Sequence, residues 1–284
     1  MNLFFCGGIA KSGTTLLQRI LNLHDDISCE FEDDLNYLLE EFIKIHKGYN
    51  LRIKRIGDRI GLKEPKPVSS KVYDKALFEI INDIAEERGL DKKFVGISDN
   101  NFFIENFNVL HDNFKNSKSI IIFRNPIDRA ISLWNHNHRL YKKENNYGHI
   151  KVLEIDGKLD LNKFVILKSN LWNIQVKKIF EKIKKQDKKL LLITYELLCT
   201  KKSDVVKKIF NFIGCEFNNS TINNILENTS LENFRAKSPY PEFYDKGSLN
   251  FGQDYLSSDT IKKSIELSRE SLDLLNIKIP NKFE

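Results

Sequence analysis

Apolar positions along the chain follow two rhythms. Short apolar runs of strand length occur at Leu3–Cys6, Phe94–Ile97, Ser119–Phe123 and Leu190–Tyr195, and each is followed by a longer stretch of helical period. That second rhythm predicts helices at Thr14–Leu23, Leu35–Lys47, Tyr73–Arg88, Asp128–Tyr141, Asn170–Lys185, Asp204–Ile213 and Asp259–Leu275. Strands alternating with helices imply an α/β fold, a parallel sheet with helices on both faces. In the fifth helix Leu171, Ile174, Val176, Ile179, Phe180 and Ile183 make a broad stripe, read as core. No internal repeat and no Pro- or Ser-rich linker interrupts the pattern, so residues 1–284 are expected to form a single domain. Asn145–Lys158 and Arg235–Phe251, rich in breaks, are the expected long loops.

Composition narrows the classes. A chain of 284 residues, 41% hydrophobic and 30% charged, is globular and long enough to bury a substantial core. Cys6, Cys29, Cys199 and Cys215 form no CxxC pair, so neither a zinc site nor a disulfide framework is signalled. No stretch reaches the roughly 18 apolar residues of a membrane span, and Lys11 precedes any signal-peptide core. The expectation is a cytoplasmic protein with no integral membrane segment. The net charge of +6 gathers largely in Lys177–Lys208, among helix-period apolar residues, and is read as solvated helix faces.

The first strand runs into Gly7-Gly8-Ile9-Ala10-Lys11-Ser12-Gly13-Thr14-Thr15, ahead of the first helix. Backbone N–H groups of such a loop and the helix N-terminus bind anions. Against the phosphate-loop pattern GxxxxGK[ST], Gly8, Gly13 and Thr15 fit, but Thr14 stands at the lysine position and the cation is Lys11, inside the loop. A nucleotide kinase needs that later lysine and a magnesium ligand. The loop therefore suits an anion handled without metal.

A second segment, Arg124-Asn125-Pro126-Ile127-Asp128-Arg129-Ala130-Ile131-Ser132, follows the most apolar strand. Pro126 stops the strand, Asp128 is positioned to cap the helix, and Ser132 lies about one turn in. Arg124 and Ser132 can converge on one phosphate.

These two segments resemble the signatures of sulfotransferases that use 3′-phosphoadenosine 5′-phosphosulfate (PAPS), a family with a P-loop-like α/β fold. The resemblance implies that Lys11, Ser12, Gly13, Thr14 and Thr15 hold the 5′-phosphosulfate, with Lys11 also catalytic, neutralising the oxygen released as the bond to sulfur breaks. It implies that Arg124 and Ser132 bind the 3′-phosphate. Tyr195-Glu196-Leu197 resembles the family's Tyr-Glu-Asp-Leu strand end, with Tyr195 on the adenine. Thr229-Ser230-Leu231 is similar to a segment reaching the nucleotide, and Lys246-Gly247 to a loop closing on the 3′-phosphate.

Sulfuryl transfer needs a base beside the phosphosulfate loop. Ile27–Asp34 reads as a short strand returning to that edge; if Cys29 and Phe31 face the core, Glu30 and Glu32 face the other way. Part of the family carries a histidine after a later strand, where this chain reads Gly96-Ile97-Ser98-Asp99-Asn100-Asn101. Another part carries a glutamate after the first helix, with which Glu32 aligns; Glu32 is the expected base, with Glu30 as the alternative. Many relatives also place a lysine where Asp99 and Asn100 stand, and Lys63, Lys66, or Lys11 with Ser132, are candidates to replace it. His136 and His138 either line the acceptor site or sit on a polar helix face.

The expected function is thus sulfuryl transfer from PAPS to a hydroxyl or amine of a glycan, peptide tyrosine or small metabolite, with no metal and no nucleic acid. The alternatives are a P-loop kinase acting on a small molecule and a non-catalytic binder of polyanions.

Overall fold

A computed structural model describes residues 2–29, 35–61, 66–99, 106–183, 187–230, 232–233, 236 and 249–280. In chain order its elements are β1 (Asn2–Gly8), α1 (Thr14–Asn22), β2 (Ile27–Ser28), α2 (Leu35–Ile60), α3 (Ser70–Arg88), β3 (Phe94–Ser98), α4 (Phe107–Asn113), β4 (Lys118–Phe123) and α5 (Pro126–Glu144). They continue with α6 (Gly148–Lys151), β5 (Glu154–Ile155), β6 (Lys158–Leu159), α7 (Leu161–Ile183), β7 (Leu190–Thr194), α8 (Tyr195–Thr200), α9 (Lys202–Ile213), α10 (Asn219–Asn228) and α11 (Ser258–Leu275).

The central sheet has the order β2-β3-β1-β4-β7, every pairing parallel. Strand side chains alternate between two cores. Phe4, Cys6, Ile120, Ile122 and Ile193 pack with α1, α9 and α10. Phe5, Val95, Ile97, Ile121 and Phe123 pack with α2, α3, α4, α7 and α11. The longer strands β1, β3, β4 and β7 pack on both faces, which is why each reads as an apolar run. Among the described residues no helix is long and apolar enough to cross a membrane.

Several elements depart from their expected bounds. The second helix runs on to Ile60, and the fifth starts at Leu161. Its core face is Trp172, Val176 and Ile179, whereas Leu171 and Ile174 are exposed, so the helix is rotated from the expected stripe. The Asn145–Lys158 loop is built of α6 and the β5–β6 hairpin. The last strand stops at Thr194, whose side chain caps α8 by accepting from Leu197 N.

Strand order positions the site. From β1 the chain jumps to the edge strand β2, comes back inward to β3 beside β1, and then crosses to the other side of β1 through β4 and β7. The crevice beyond the carboxyl ends of β1 and β4 is the switch point where such sheets bind ligands. Both glycine-loop and arginine segments open onto it.

Candidate active site

Gly8 is the last residue of β1 and pairs with Ile122 of β4. A Cβ there would lie 2.2 Å from the Ile122 carbonyl oxygen, so a side chain would force the two strands apart. Beyond it the loop turns tightly, with Ser12 N donating to Ile9 O at 3.0 Å. Lys11 holds a positive φ of 71° and Gly13 one of 100°. A left-handed lysine costs on the order of 1 kcal/mol or more, strain that clusters at functional sites. Gly13 is the N-cap of α1 and offers no side-chain cap, so the first-turn N–H groups point into the crevice. The Ser12 hydroxyl oxygen is buried without a hydrogen-bond partner among the described residues.

Pro126 is the first residue of α5, and Asn125 caps it by accepting from Asp128 N at 2.8 Å. Asn125, rather than Asp128, is therefore the cap. Asp128 is fully buried and spent elsewhere: it accepts from Asn250 N at 2.8 Å and Gly252 N at 2.9 Å. These bonds hold the C-terminal segment on α5, just after the region containing Lys246 and Gly247, which lie outside the described residues.

Arg124 is buried, its guanidinium 4.3 Å from the Tyr195 ring and 5.5 Å from that of Phe251, with Asp128 Oδ2 4.0 Å from an Arg124 Nη. Its Nε has no hydrogen-bond partner among the described residues. The buried Ser12 and Arg124 atoms, one from each segment, are unsatisfied polar groups of the kind that bind phosphate oxygens. Tyr195 lies between the two segments, because a Cβ on Gly13 would meet its ring at 2.5 Å. Burial raises the Tyr195 phenol above its ordinary pKa, so its hydroxyl stays protonated.

Sequence reasoning missed two further contributors, Arg129 and Glu196, and left a third, His136, between two readings. Arg129, buried on α5, reaches back to donate from Nε to Ala10 O at 2.9 Å and ties the loop to the second segment. Burial lowers its pKa to about 10, which leaves it charged at neutrality. Glu196 accepts from Asn125 N at 2.9 Å, and burial pushes its carboxyl above the usual range. His136 lies four residues after the half-buried Ser132, on the same helix face. Burial and the charges of Lys11, Arg139 and His149 push its imidazole down to about 4, so it is neutral at physiological pH. Lys168 of α7 is likewise pushed down by burial and by Arg129. Cations thus crowd the crevice and make it positive.

The remaining expected residues fall as follows. Thr229 is buried at the end of α10; its hydroxyl donates to Ile225 O at 2.6 Å, and its carbonyl accepts from Lys202 Nζ at 2.7 Å. Glu30, Glu32 and Lys63 lie outside the described residues, whereas Lys66 is exposed. Asp99 is buried and caps α2, its Oδ2 accepting from Leu35 N at 2.8 Å. On the opposite side of Glu30 and Glu32, Cys29 N donates to Asn22 Oδ1 at 3.2 Å. Both flanks of that acidic segment are therefore fixed.

His24, Asp26 and Cys215 bring potential metal-ligand atoms within 4.8 Å of one another. The His24 ring is already committed at both nitrogens, Nδ1 3.1 Å from Asp26 N and Nε2 2.8 Å from Glu216 O. That cluster is a structural clasp.

A family model described as sulfotransferase domain matches residues 4–245. No curated protein gives a match. Among solved structures, the mouse sulfotransferase SULT7A1 complexed with PAP is 20% identical, with a TM-score of 0.59 over 97% of this chain and 86% of that one. Retinol dehydratase in complex with androsterone and inactive cofactor PAP is 18% identical, with a TM-score of 0.51 over 98% and 83%. The sulfotransferase domain from the curacin biosynthetic pathway is 12% identical, with a TM-score of 0.51 over 98% of both chains. At these identities the likeness is one of fold.

Proposed function

The chain belongs to the sulfotransferase domain family, and from that premise we propose that it transfers a sulfuryl group from PAPS to an acceptor hydroxyl or amine. The observation that carries this reading is the Tyr195 ring, packed against Gly13 on one side and 4.3 Å from the Arg124 guanidinium on the other. An adenosine bearing phosphates at both its 3′ and 5′ positions needs two anion sites flanking one aromatic surface. A simple triphosphate needs them in a row with magnesium, and Thr14 stands where its lysine would be.

In this reading Lys11, the Ser12 hydroxyl and the N–H groups of Gly13, Thr14 and Thr15 take the 5′-phosphosulfate. Arg124 and Ser132 take the 3′-phosphate, with Lys246 and Gly247 closing over it. Tyr195 lies along the adenine. The Thr229 hydroxyl, its proton committed to Ile225 O, accepts from the base's exocyclic amine.

The acceptor oxygen or nitrogen attacks sulfur in line, its proton passes to the Glu32 carboxylate, and the bond between sulfur and the bridging phosphate oxygen breaks. The electron pair leaves with adenosine 3′,5′-bisphosphate (PAP), whose new charge Lys11 neutralises. Support for Glu32 is the tethering of both its flanks, at Cys29 and at Leu35. Asp99 fits the same picture: it caps α2 beside the site, so the charge that many relatives supply there comes instead from Lys11, Arg129 and Lys168. Glycans, peptide tyrosines and small metabolites are the acceptor classes.

The test is release of PAP from PAPS in the presence of a panel of phenols, sugars and amines, with a chelator added. Acceptor-dependent release that survives chelation supports the reading. Magnesium-dependent consumption of ATP in the same panel contradicts it.

A further inference from the structure

Beyond its first two turns, which pack Leu35, Leu38, Leu39 and Phe42 against the core, the second helix is built inside out. Its 26 residues span about 39 Å, and the residues it turns toward α3 are polar. His46 Nε2 lies 2.6 Å from Val68 O, Asn50 both donates to that oxygen and accepts from Val68 N, and the His46 ring packs on Tyr73 at 4.8 Å. Gly57, on the same side, is buried. These contacts fix the rotation of the helix.

The apolar residues beyond those turns are, apart from the half-buried Ile53, consequently left outside. Ile45 is 56% exposed, Tyr49 46%, Ile56 45% and Ile60 61%. At 100° per residue the four fall within a stripe about 60° wide. Arg52, Arg55 and Arg59 flank that stripe, and between Lys47 and Ile60 five cations stand against the single acid Asp58. An exposed apolar stripe rimmed by cations is what lies flat in the head-group region of an anionic bilayer, isoleucines below and guanidinium groups among the phosphates.

We infer that this face of α2 docks on an anionic lipid bilayer. A nucleic acid would match the cations but would leave the isoleucines in contact with water, and a second copy of the chain would set like charges against one another. The helix starts at Leu35, capped by Asp99 just after β3, and the stripe lies further along it, beginning at Ile45. The inference stands independently of the sulfuryl-transfer reading.

Co-sedimentation with phosphatidylcholine vesicles, with and without phosphatidylglycerol, tests it. Two surface variants accompany the wild-type protein, Ile45→Ser/Ile56→Ser and Arg52→Gln/Arg55→Gln/Arg59→Gln, with helicity checked by circular dichroism. Wild-type protein should partition to the anionic vesicles and not to the neutral ones. The arginine variant should bind about a hundredfold more weakly, and the isoleucine variant about tenfold more weakly. Equal partitioning to both vesicles, no partitioning, or variants that bind like wild type would overturn the inference. So would a dimer in light scattering that the isoleucine variant dissolves, or salt-steep DNA binding without vesicle binding.

Discussion

The Tyr195 ring occupies the space where a side chain on Gly13 would have to go. A Cβ at Gly13 would lie 2.5 Å from Tyr195 Cδ2, and its φ of 100° is one that L side chains rarely adopt. The loop after β1 and the residue after β7 are therefore fitted to each other across β4.

Gly13→Ala should distort the loop while leaving the sheet intact. Left-handed strain alone costs about 1–3 kcal/mol, and the contact with Tyr195 adds to it. The expected outcome is at least about tenfold weaker binding of PAP by calorimetry, with the far-ultraviolet circular dichroism unchanged. Wild-type affinity in this variant would contradict the assigned loop geometry.

Arg124→Ala should discriminate between ligands. A charge-assisted bond to phosphate contributes about 1.5–3 kcal/mol, so affinity for adenosine 3′,5′-bisphosphate should fall about ten- to a hundredfold. Adenosine 5′-monophosphate, which lacks the 3′-phosphate, should bind the variant nearly as it binds wild type. Equal losses for both nucleotides would remove Arg124 from the 3′-phosphate.

Glu32→Gln keeps the shape of the side chain and removes its basicity. Turnover should fall by about 10²–10⁴, while PAP binds as tightly as before. A variant that loses both together places Glu32 in nucleotide binding, and one that loses neither passes the base to Glu30.

Stability should fall as the solution is acidified from about pH 6.5 to pH 4. His111 is buried, with Ser119 and Ser117 hydroxyls each 2.9 Å from its ring nitrogens, and burial lowers it from 6.5 to about 4. Across that window the unfolded chain takes up a proton that the folded one refuses, at a cost of at most about 1.4 kcal/mol per pH unit. His136 acts in the same direction, and less, because it is only half-buried. Glu196, raised by burial, offsets part of the loss at the acid end. Thermal denaturation between pH 7 and pH 4 should show a falling midpoint with a shallower slope in His111→Gln. An equally steep slope in that variant would exclude His111 as the source.

Much of this architecture was legible in the sequence because it is written locally. Four strands buried on both faces read as apolar runs, and the two anion segments are contiguous, each opening at its strand's carboxyl end. What escaped depends on distant pairing. Arg129 reaches Ala10, 119 residues away, through a turn of α5 that no local pattern specifies. Asp128 reads as a helix cap from its place after Pro126, yet Asn125 takes the cap and frees Asp128 to hold Asn250 and Gly252. His136, which the sequence leaves between the acceptor site and a polar helix face, comes within reach of the Lys11 charge because α5 follows β4 beside the β1 loop. The rotation of α7 was missed for a related reason: Trp172 is the bulkiest fully buried side chain among the described residues, and it outweighs a stripe counted by spacing alone. Glu30, Glu32, Lys63, Lys246 and Gly247 lie outside the described residues, and the Glu32→Gln variant tests the first two.

The central claim is that two anion sites on either side of Tyr195 accept one nucleotide phosphorylated at both 3′ and 5′ positions. Calorimetric titration with adenosine 3′,5′-bisphosphate, run beside ATP with magnesium at moderate salt, tests it most directly. The account predicts saturable, metal-independent binding of the bisphosphate in preference to ATP. Preference for magnesium-ATP would contradict it and return the loop after β1 to kinase chemistry.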